Sequence, residues 1–372
     1  MYVIQIQSLK SSRGIIFFWS ANLNTFGQSF MRMKRILVTG GCGFIGSHTI
    51  VDLIQSGYEV VSLDNLINSS EDVLSGIEQI TGEKILNHRI DLKSAQALSD
   101  LKQIGGEFSG VIHFAALKSV SDSVIKPLEY YQNNVGGLIN LLEWIREAGI
   151  PHFIFSSSCT VYGDTEILPV TEDLPFLPTG SPYGRTKQMC ELILADLYPT
   201  LNRDQKAISL RYFNPAGAHE SHLIGESPIN SPQNLVPIIT ETAIGKRPSM
   251  TVYGTDYPTR DGTCIRDYVH VMDLARAHTL AMNYLESEKQ ILPLETFNLG
   301  IGAGVSVLEA IQAFEKVNGI PLKYEIGARR SGDLAAVYSD NEKASKLLNW
   351  HPLKSIDDIM HDAWVWEQRR NL

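Results

Sequence analysis

The feature that most constrains the fold is a glycine-rich turn between a predicted strand and a predicted helix. A β-branched run over residues 34–39 is followed by three glycines, and helical apolar spacing then continues to residue 54. The three glycines are Gly40, Gly43 and Gly46. The next predicted strand ends at Asp64, 24 residues after the first glycine. This order of strand, turn, helix, strand and acid indicates a dinucleotide-binding unit in a parallel α/β sheet.

Each part of this unit has a physical role in holding a dinucleotide. Gly40 permits the tight turn, Gly43 lets the backbone approach the pyrophosphate, and Gly46 lets the helix pack closely on the strand. The helix N-terminus offers unpaired N–H donors to the phosphates. The carboxylate of Asp64 can accept hydrogen bonds from the adenosine ribose and would repel a 2′-phosphate. We therefore expect NAD rather than NADP as the cofactor.

Strand and helix patterns alternate up to residue 211. Further predicted strands lie near residues 84–90, 110–113, 152–156 and 207–211. Their nearly continuous apolar character is typical of a doubly wound parallel (Rossmann) sheet, which is buried on both faces. After residue 212, proline and glycine become frequent and the patterns become irregular, which predicts a smaller loop-rich α/β lobe that carries specificity.

These patterns predict an NAD-binding domain over residues 33–211 and a mainly substrate-binding lobe over residues 212–372. We expect some segments of the lobe to return to the first domain, and an amphipathic helix over residues 341–370. The first 32 residues fit neither part. Their apolar run, Ile15 to Trp19, is too short for a signal peptide. We expect an extension outside the fold, or a start codon assigned too early, since Met31 and Met33 directly precede the first strand.

Composition excludes several classes of protein. The chain has 32 Lys and Arg against 41 Asp and Glu, a net charge of −9, which argues against a nucleic-acid-binding protein. No run approaches the ~18 apolar residues of a membrane span. The four cysteines are scattered without metal-ligand spacing, so we expect reduced thiols, no metal site and a cytoplasmic location. They are Cys42, Cys159, Cys190 and Cys264.

A tyrosine and a lysine at helical i, i+4 spacing form the predicted catalytic pair. Tyr183 and Lys187 share one helix face, and Ser158 stands at the tip of an apolar strand 25 residues before the tyrosine. We expect Lys187 and a positive nicotinamide ring to lower the phenol pKa from about 10 to about 7, which requires roughly 4 kcal/mol. Tyr183 could then remove a hydroxyl proton. Cys159 as a nucleophile is disfavoured, because no histidine stands near it in sequence.

These motifs and several longer stretches resemble the extended short-chain dehydrogenase/reductase family, and within it the enzymes that epimerise UDP-hexoses at C4. The resemblance runs from about residue 34 to residue 366. Its most specific stretches are residues 38–48, 63–66, 127–131, 181–187, 211–215 and 266–271. It implies that UDP-glucose and UDP-galactose are interconverted through a 4-keto sugar with a permanently bound NAD. It also implies that Tyr183 acts as base and then acid, with Ser158 sharing the proton path.

The resemblance also assigns binding positions. Besides the glycines, those for the cofactor are Phe44, Ile45, Asp64, Asn65, Asn68, Ser69, Asp91, Leu92, Phe114, Ala115, Lys118, Asn133, Tyr183, Lys187 and Phe213. Those for the UDP-hexose are Ser158, Tyr183, Asn214, Asn234, Leu235, Tyr253, Arg266, Arg330, Asp333 and Val337. The residue types agree with these roles, because arginines can fork onto a pyrophosphate and a tyrosine can stack on a uracil ring.

One position departs from the family pattern for plain sugars. Where those enzymes carry a tyrosine, this chain has Val337, and smaller residues occur in relatives that also accept N-acetyl sugars. We therefore expect activity on UDP-N-acetylglucosamine and UDP-N-acetylgalactosamine as well. The family also implies a homodimer that pairs helices near residues 127–148 and 185–198.

Three alternatives stay open. A 4,6-dehydratase would carry an Asp-Glu pair after the strand-tip hydroxyl, where this chain has Cys159 and Thr160. Action on a UDP-uronate is the second. The third is an NAD-sensing regulator without catalysis, although such proteins usually lack the tyrosine or the lysine.

Overall fold

A computed structural model describes residues 33–330 and 332–372, so the predicted extension over residues 1–32 lies outside the described residues. Its strands are β1 (Arg35–Thr39), β2 (Glu59–Leu63), β3 (Asn87–His88), β4 (Gly110–His113), β5 (His152–Ser158), β6 (Lys206–Tyr212), β7 (Asn214–Ala216), β8 (Met250–Tyr253), β9 (Ile265–Arg266), β10 (Tyr268–His270), β11 (Leu294–Leu299), β12 (Val305–Ser306), β13 (Tyr324–Gly327) and β14 (Ala336–Val337).

The helices are α1 (Phe44–Gln55), α2 (Asp72–Thr81), α3 (Ala97–Gln103), α4 (Val120–Ile125), α5 (Pro127–Tyr130), α6 (Gly137–Ala148), α7 (Pro182–Leu197), α8 (Leu235–Ala243), α9 (Val271–Glu286), α10 (Val307–Asn318), α11 (Glu342–Leu348) and α12 (Ile356–Arg369). A π-helical segment, Tyr131–Gly136, joins α5 to α6. Short 3-10 turns span Cys159–Tyr162 and Tyr198–Thr200.

Seven parallel strands form the main sheet, in the order β11, β6, β5, β4, β1, β2, β3. The predicted doubly wound α/β fold is therefore confirmed. The strand order reverses between β1 and β4, because the chain moves outwards from β1 to β3 and then restarts on the other side. Ligands of such sheets bind at the carboxyl ends of the strands at this switch point. The glycine turn after β1 lies there.

Alternate residues of β1 supply two separate cores. Ile36 and Val38 pack with residues of α1, α2 and α9 on one face of the sheet. Leu37 packs with residues of α3, α6 and α7 on the other face. This alternation follows from the two-residue period of a strand. Because both faces are covered, the strand needs apolar side chains at successive positions, which explains the continuous apolar runs.

The chain after residue 212 contributes to both the main sheet and a second region. Helix α9 packs against α1, and β11 adds an edge strand beside β6. The remaining strands form small sheets that pair β10 with β7, β13 with β8, and β9 with both β12 and β14. A third core lies among α8, α10 and α12. Residues Lys34–Leu372 form one compact unit, and the domain boundary after residue 211 stays a prediction.

Two elements differ from the sequence analysis. The strand expected over residues 84–90 is limited to Asn87–His88. The helix expected over residues 341–370 is divided into α11 and α12, because Asn349 adopts a left-handed conformation with φ of 54° and Pro352 follows it. Within the described residues, no helix is long and apolar enough to cross a membrane.

Candidate functional site

The glycine turn forms a cradle that has no room for side chains. Gly40 has φ of +69°, and a Cβ on it would lie 2.8 Å from the backbone nitrogen of Ala115. A Cβ on Gly46 would lie 2.2 Å from the carbonyl oxygen of Gly40. Helix α1 begins directly after Gly43, with no acidic residue in its first turn and no capping side chain among the described residues. Its N–H donors are therefore available to an anion, as a dinucleotide pyrophosphate requires.

The carboxylate of Asp64 ties the turn to the loop that follows β2. Its Oδ2 accepts a hydrogen bond from the backbone N–H of Cys42 at 3.1 Å. Its Oδ1 accepts from the backbone N–H of Leu66 at 2.9 Å and from the hydroxyl of Ser69 at 2.8 Å. A carboxylate offers about four lone-pair positions, so one position on Oδ2 remains for a ribose hydroxyl. Two further expected cofactor residues, Asn65 and Asn68, lie in the same loop.

The other expected cofactor residues follow the neighbouring strands. Asp91 and Leu92 lie after β3, and Leu92 is buried in the core that includes α6. Phe114 and Ala115 follow β4, and the Phe114 ring lies 4.7 Å from that of His278 on α9. Phe213 follows β6 and is 6% exposed. These positions all adjoin carboxyl ends of strands in the main sheet, as the sequence analysis expects.

A buried asparagine that the sequence analysis left without a role fixes this region. The side chain of Asn134, in the π-helical segment, accepts from the backbone N–H of Leu117 at 2.8 Å and donates to its carbonyl at 3.0 Å. It also donates to Thr186 Oγ1 at 3.1 Å, and Thr186 donates to the carbonyl of Tyr183 at 2.7 Å. The neighbouring Asn133 donates to Asn134 Oδ1 at 3.0 Å. Asn134 thus links the loop after β4 to the first turn of α7.

The expected catalytic hydroxyls meet at the end of β5. Ser158 is the last residue of that strand, and its Oγ accepts from the backbone and side chain of Thr160 at 3.2 and 3.0 Å. Tyr183 lies in the first turn of α7, where Ser181 caps the helix by accepting from the N–H of Gly184 at 3.2 Å. The Ser158 side chain lies near the phenol of Tyr183 and lowers the phenol pKa in part. The strand tip and the helix start therefore present both hydroxyls together.

Burial dominates the ionisation of the Tyr183–Lys187 pair. It raises the pKa of Tyr183 to about 12 and lowers the pKa of Lys187 to about 8. The ammonium of Lys187 donates to the carbonyl of Ser156 at 2.6 Å and lies 6.0 Å from the centre of the Tyr183 ring. The low phenol pKa that the sequence analysis expects is absent from the protein alone, because loss of water around the phenolate outweighs the nearby cation.

The neighbouring thiol has no nucleophilic character. Burial raises the pKa of Cys159 to about 12, although the charge of Arg266 opposes that effect. A thiol with this pKa is protonated at neutral pH, and the thiolate is the nucleophilic form. The structure therefore agrees with the sequence analysis in disfavouring Cys159 as a nucleophile.

Three of the expected substrate residues come together on β9 and β14. Arg266 and Val337 are partners in the parallel pairing of these strands. The guanidinium of Arg266 donates to the carbonyl of Leu334 at 2.9 Å and lies 3.5 Å from the carboxylate of Asp333. Val337 is half-buried and packs on an apolar cluster that contains Phe213 and part of the turn after Ser158. This arrangement places Val337 near the strand tip that carries Ser158, the expected catalytic hydroxyl.

Two further expected substrate residues, Tyr253 and Arg330, contact each other. The guanidinium of Arg330 lies over the Tyr253 ring, 4.0 Å from its centre, and the tyrosine is 37% exposed. Stacking of this kind occupies the ring face that a uracil would use. Asn214 lies on β7, paired with Tyr268.

The segment before α8 contains a carboxylate that the sequence analysis missed. Asn234 precedes α8, which begins at Leu235. The Asn234 amide donates to Glu226 Oε1 at 3.4 Å, and the ammonium of Lys118 lies 3.3 Å from the same oxygen. Glu226 therefore joins an expected substrate residue to an expected cofactor residue.

Comparison with known proteins agrees with this geometry. The family model described as GDP-mannose 4,6 dehydratase matches residues 37–363. The UDP-glucose 4-epimerase of Erwinia amylovora is 48% identical over 334 residues, which is 90% of this chain and 98% of that protein. A crystal structure of UDP-glucose-4-epimerase from Stenotrophomonas maltophila, with bound NAD and formylated UDP-arabinopyranose, superposes with a TM-score of 0.86 at 43% identity. It covers 91% of this chain and 99% of that one.

A more distant structure differs in its stated substrates. The UDP-Glc/GlcNAc 4-epimerase from Campylobacter jejuni superposes with a TM-score of 0.77 at 36% identity, over 90% of this chain and 99% of that one. Identity of nearly half over almost the whole length, together with the glycine cradle and the Ser158–Tyr183–Lys187 group, shows the family. The chain belongs to the UDP-glucose 4-epimerases, a family of enzymes within the extended short-chain dehydrogenases/reductases.

Proposed function

We propose that the protein uses NAD to interconvert UDP-glucose and UDP-galactose, and that it also interconverts their N-acetylated counterparts. The observation that carries the proposal is the grouping of Ser158, the last residue of β5, with Tyr183 and Lys187 on α7, where Lys187 donates to the carbonyl of Ser156 at 2.6 Å. The bound ligands of the Stenotrophomonas relative, NAD and a UDP-sugar, support the same choice of cofactor and substrate.

The residues of the glycine cradle, Asp64, and the residues at the ends of β3, β4 and β6 would hold the dinucleotide. When bound, NAD supplies an acceptor for the hydride of the sugar C4, together with the positive charge of its ring. Tyr183 takes the proton of the C4 hydroxyl at its phenol oxygen and returns it after the keto sugar has presented its other face, while Ser158 bonds the reacting oxygen. The hydrogen bonded to C4 returns to the same carbon, so this hydrogen is not exchanged with solvent in a full cycle.

The phenol must become much more acidic for this step. Lowering its pKa from about 12 to about 7 requires about 7 kcal/mol of differential stabilisation of the phenolate. Lys187, with a pKa of about 8, is part of that stabilisation when protonated. Tyr183 therefore acts as a base in the complete complex and stays protonated in the protein alone.

The N-acetyl activity rests on the space beside Val337. This side chain is half-buried on the cluster that contains Phe213 and follows the Ser158 strand tip. A tyrosine here would extend a ring from β14, whereas valine leaves that volume open. The dual specificity stated for the Campylobacter relative supports such breadth within the family.

A coupled assay with UDP-galactose and UDP-N-acetylgalactosamine tests both parts. Tyr183→Phe should lose at least ~100-fold in kcat on both substrates, the low end for loss of general acid–base catalysis. Tyr198→Phe, which alters a buried tyrosine just beyond α7, is the matched control and should keep its rate. Val337→Tyr should lose activity only on the acetylated sugar, by at least about 10-fold, given overpacking costs of ~1–3 kcal/mol.

Two results would reject the proposal. Near-normal turnover by Tyr183→Phe removes the assigned role of the phenol, and deuterium from solvent at C4 of the product removes the redox route. A 4-keto-6-deoxy product would instead identify a dehydratase. Turnover of the acetylated sugar at background level by the wild type removes the broader specificity alone.

We also propose a homodimer formed through helices α4 to α7. Large apolar side chains on these helices are exposed, and several lie on neighbouring turns. They are Val120, Val124, Ile125, Leu128, Ile139, Met189 and Leu192, with exposed fractions from 39% to 77%. Helix α7 packs against α4, α5 and the π-helical segment that leads into α6, so these side chains lie on neighbouring helices. Contiguous apolar surface of this kind is typical of a protein–protein interface.

A further inference from the structure

A buried ion pair lies behind the strand tip that carries Ser158. The guanidinium of Arg211, on β6, donates to both oxygens of the Glu191 carboxylate, on α7, at 3.0 and 2.7 Å. Both side chains are 6% exposed. Ser157 donates to the same carboxylate at 2.5 Å. Bidentate geometry and a third donor satisfy the charges fully, which a buried pair requires.

The pair joins the two elements that carry the catalytic groups without touching those groups. Glu191 is one helical turn after Lys187, so both lie on the face of α7 that covers the sheet. Ser157 immediately precedes Ser158 on β5. Arg211 also donates to the phenol oxygen of Tyr162 at 2.9 Å, in the turn that follows Ser158. The network therefore holds the strand, its following turn and the catalytic helix together.

We propose that Glu191 is a positioning residue: its contacts with Arg211 and Ser157 hold β5 and α7 at the spacing that joins Ser158 to Tyr183. The inference rests on the proposed function, because it concerns the rate of that reaction. The carboxylate of Glu191 is buried and is bonded to Arg211 and Ser157. Its effect on catalysis is transmitted through the neighbouring residues on each element.

The charge of Glu191 gives the positioning role an electrostatic signature. Burial lowers the pKa of Lys187, and the charges of Cys190 and Glu191 oppose that effect. Several titratable or charged groups surround Glu191 and Lys187. They are Tyr183 and Cys190 on α7, Arg211 on β6, Tyr162 in the 3-10 turn, His113 at the end of β4, and Glu172, whose carbonyl accepts from Arg211. Removing the carboxylate lowers the pKa of Lys187 further, so this ammonium loses its proton at a lower pH.

The first test is Glu191→Gln, with Asp196→Asn as the matched control on the exposed side of the same helix. We expect kcat for UDP-galactose to fall at least about 10-fold, with bound NAD content and UDP affinity within threefold of wild type. We also expect the alkaline limb of the kcat profile, where Lys187 loses its proton, to move to lower pH by at least about half a unit. The control should change neither. A variant with wild-type kcat and an unmoved limb overturns the proposal.

A second variant covers the case in which Glu191→Gln fails to fold with its buried arginine unpaired. The double variant Glu191→Met, Arg211→Met removes both charges and keeps apolar volume, which buried ion pairs tolerate. It should hold NAD and lose at least about 10-fold in kcat. Because both charges are removed together, it should keep the alkaline limb near that of the wild type. Retention of kcat within threefold overturns the proposal. Absence of turnover by the wild type would instead reject the proposed function.

Discussion

Replacing Gly46 by alanine should abolish tight NAD binding while leaving a folded protein. The added Cβ would lie 2.2 Å from the carbonyl oxygen of Gly40, where ordinary contact begins at 3.4 Å. Helix α1 and the turn must therefore separate by about 1.2 Å, which is 3.4 − 2.2. Displacements of about 1 Å cost on the order of 100-fold where oriented groups must match a ligand. We expect the Kd for NAD to rise by at least that factor.

Gly136→Ala is the matched control for this substitution. Gly136 has helical φ and ψ of −62° and −45°, and a Cβ there would meet no atom within 4 Å. We expect unchanged NAD affinity and a gain of about 0.4–1 kcal/mol in the free energy of unfolding. The assay is calorimetric titration of nucleotide-free protein, followed by urea unfolding. Equal NAD affinity in the two variants would refute the reasoning from the cradle.

Three further predictions concern other parts of the molecule. Asn134→Leu should lower the free energy of unfolding in urea by about 2–4 kcal/mol, because it strands the buried backbone groups of Leu117. Asn140→Leu should cost about half as much, because this half-buried amide loses one short bond to the Leu92 carbonyl and one long bond to the Ser94 carbonyl. Equal losses would contradict this. The folded pKa of Lys187, about 8, lies below its unfolded value of 10.5, so the folded state loses its proton first as the pH rises. In nucleotide-free protein, the free energy of unfolding of the wild type should therefore rise by about 2–3 kcal/mol between pH 8 and 10.5, relative to that of Lys187→Met. Parallel pH profiles of the two proteins would refute this. Leu192→Glu should convert a dimer to monomer in sedimentation measurements, while Leu292→Glu, which is similarly exposed but lies outside these helices, should not. A wild-type monomer would remove the dimer proposal.

Local patterns were sufficient to predict the elements that carry the cofactor site. The glycine turn, the acid at the end of β2 and the Tyr183–Lys187 spacing each depend on a few neighbouring residues, and the structure has them at the predicted ends of elements. The parallel, doubly wound sheet follows from the same alternation of strands and helices.

Residues whose partners lie far away in sequence could not be recognised in this way. The roles of Asn134 and Arg211 depend on contacts that cross from the loop after β4 to α7 and from β6 to α7. One signal was available for Glu191, since its i+4 spacing from Lys187 puts a carboxylate on the catalytic face of the helix. The break at Asn349 was also visible, because an asparagine and Pro352 are common at helix ends. The phenol pKa depends on burial, which a sequence does not state.

The interleaving of the two halves of the chain has a consequence for biosynthesis. A nascent chain that has emerged only as far as β6 would present an open strand edge there and an uncovered apolar side on α1, since β11 and α9 complete both. Exposed edges of this kind recruit other chains into aggregates. The chain must therefore be synthesised through Leu299 before the sheet is complete. A truncated product ending near residue 211 would bind chaperones and would not fold as an independent nucleotide-binding domain.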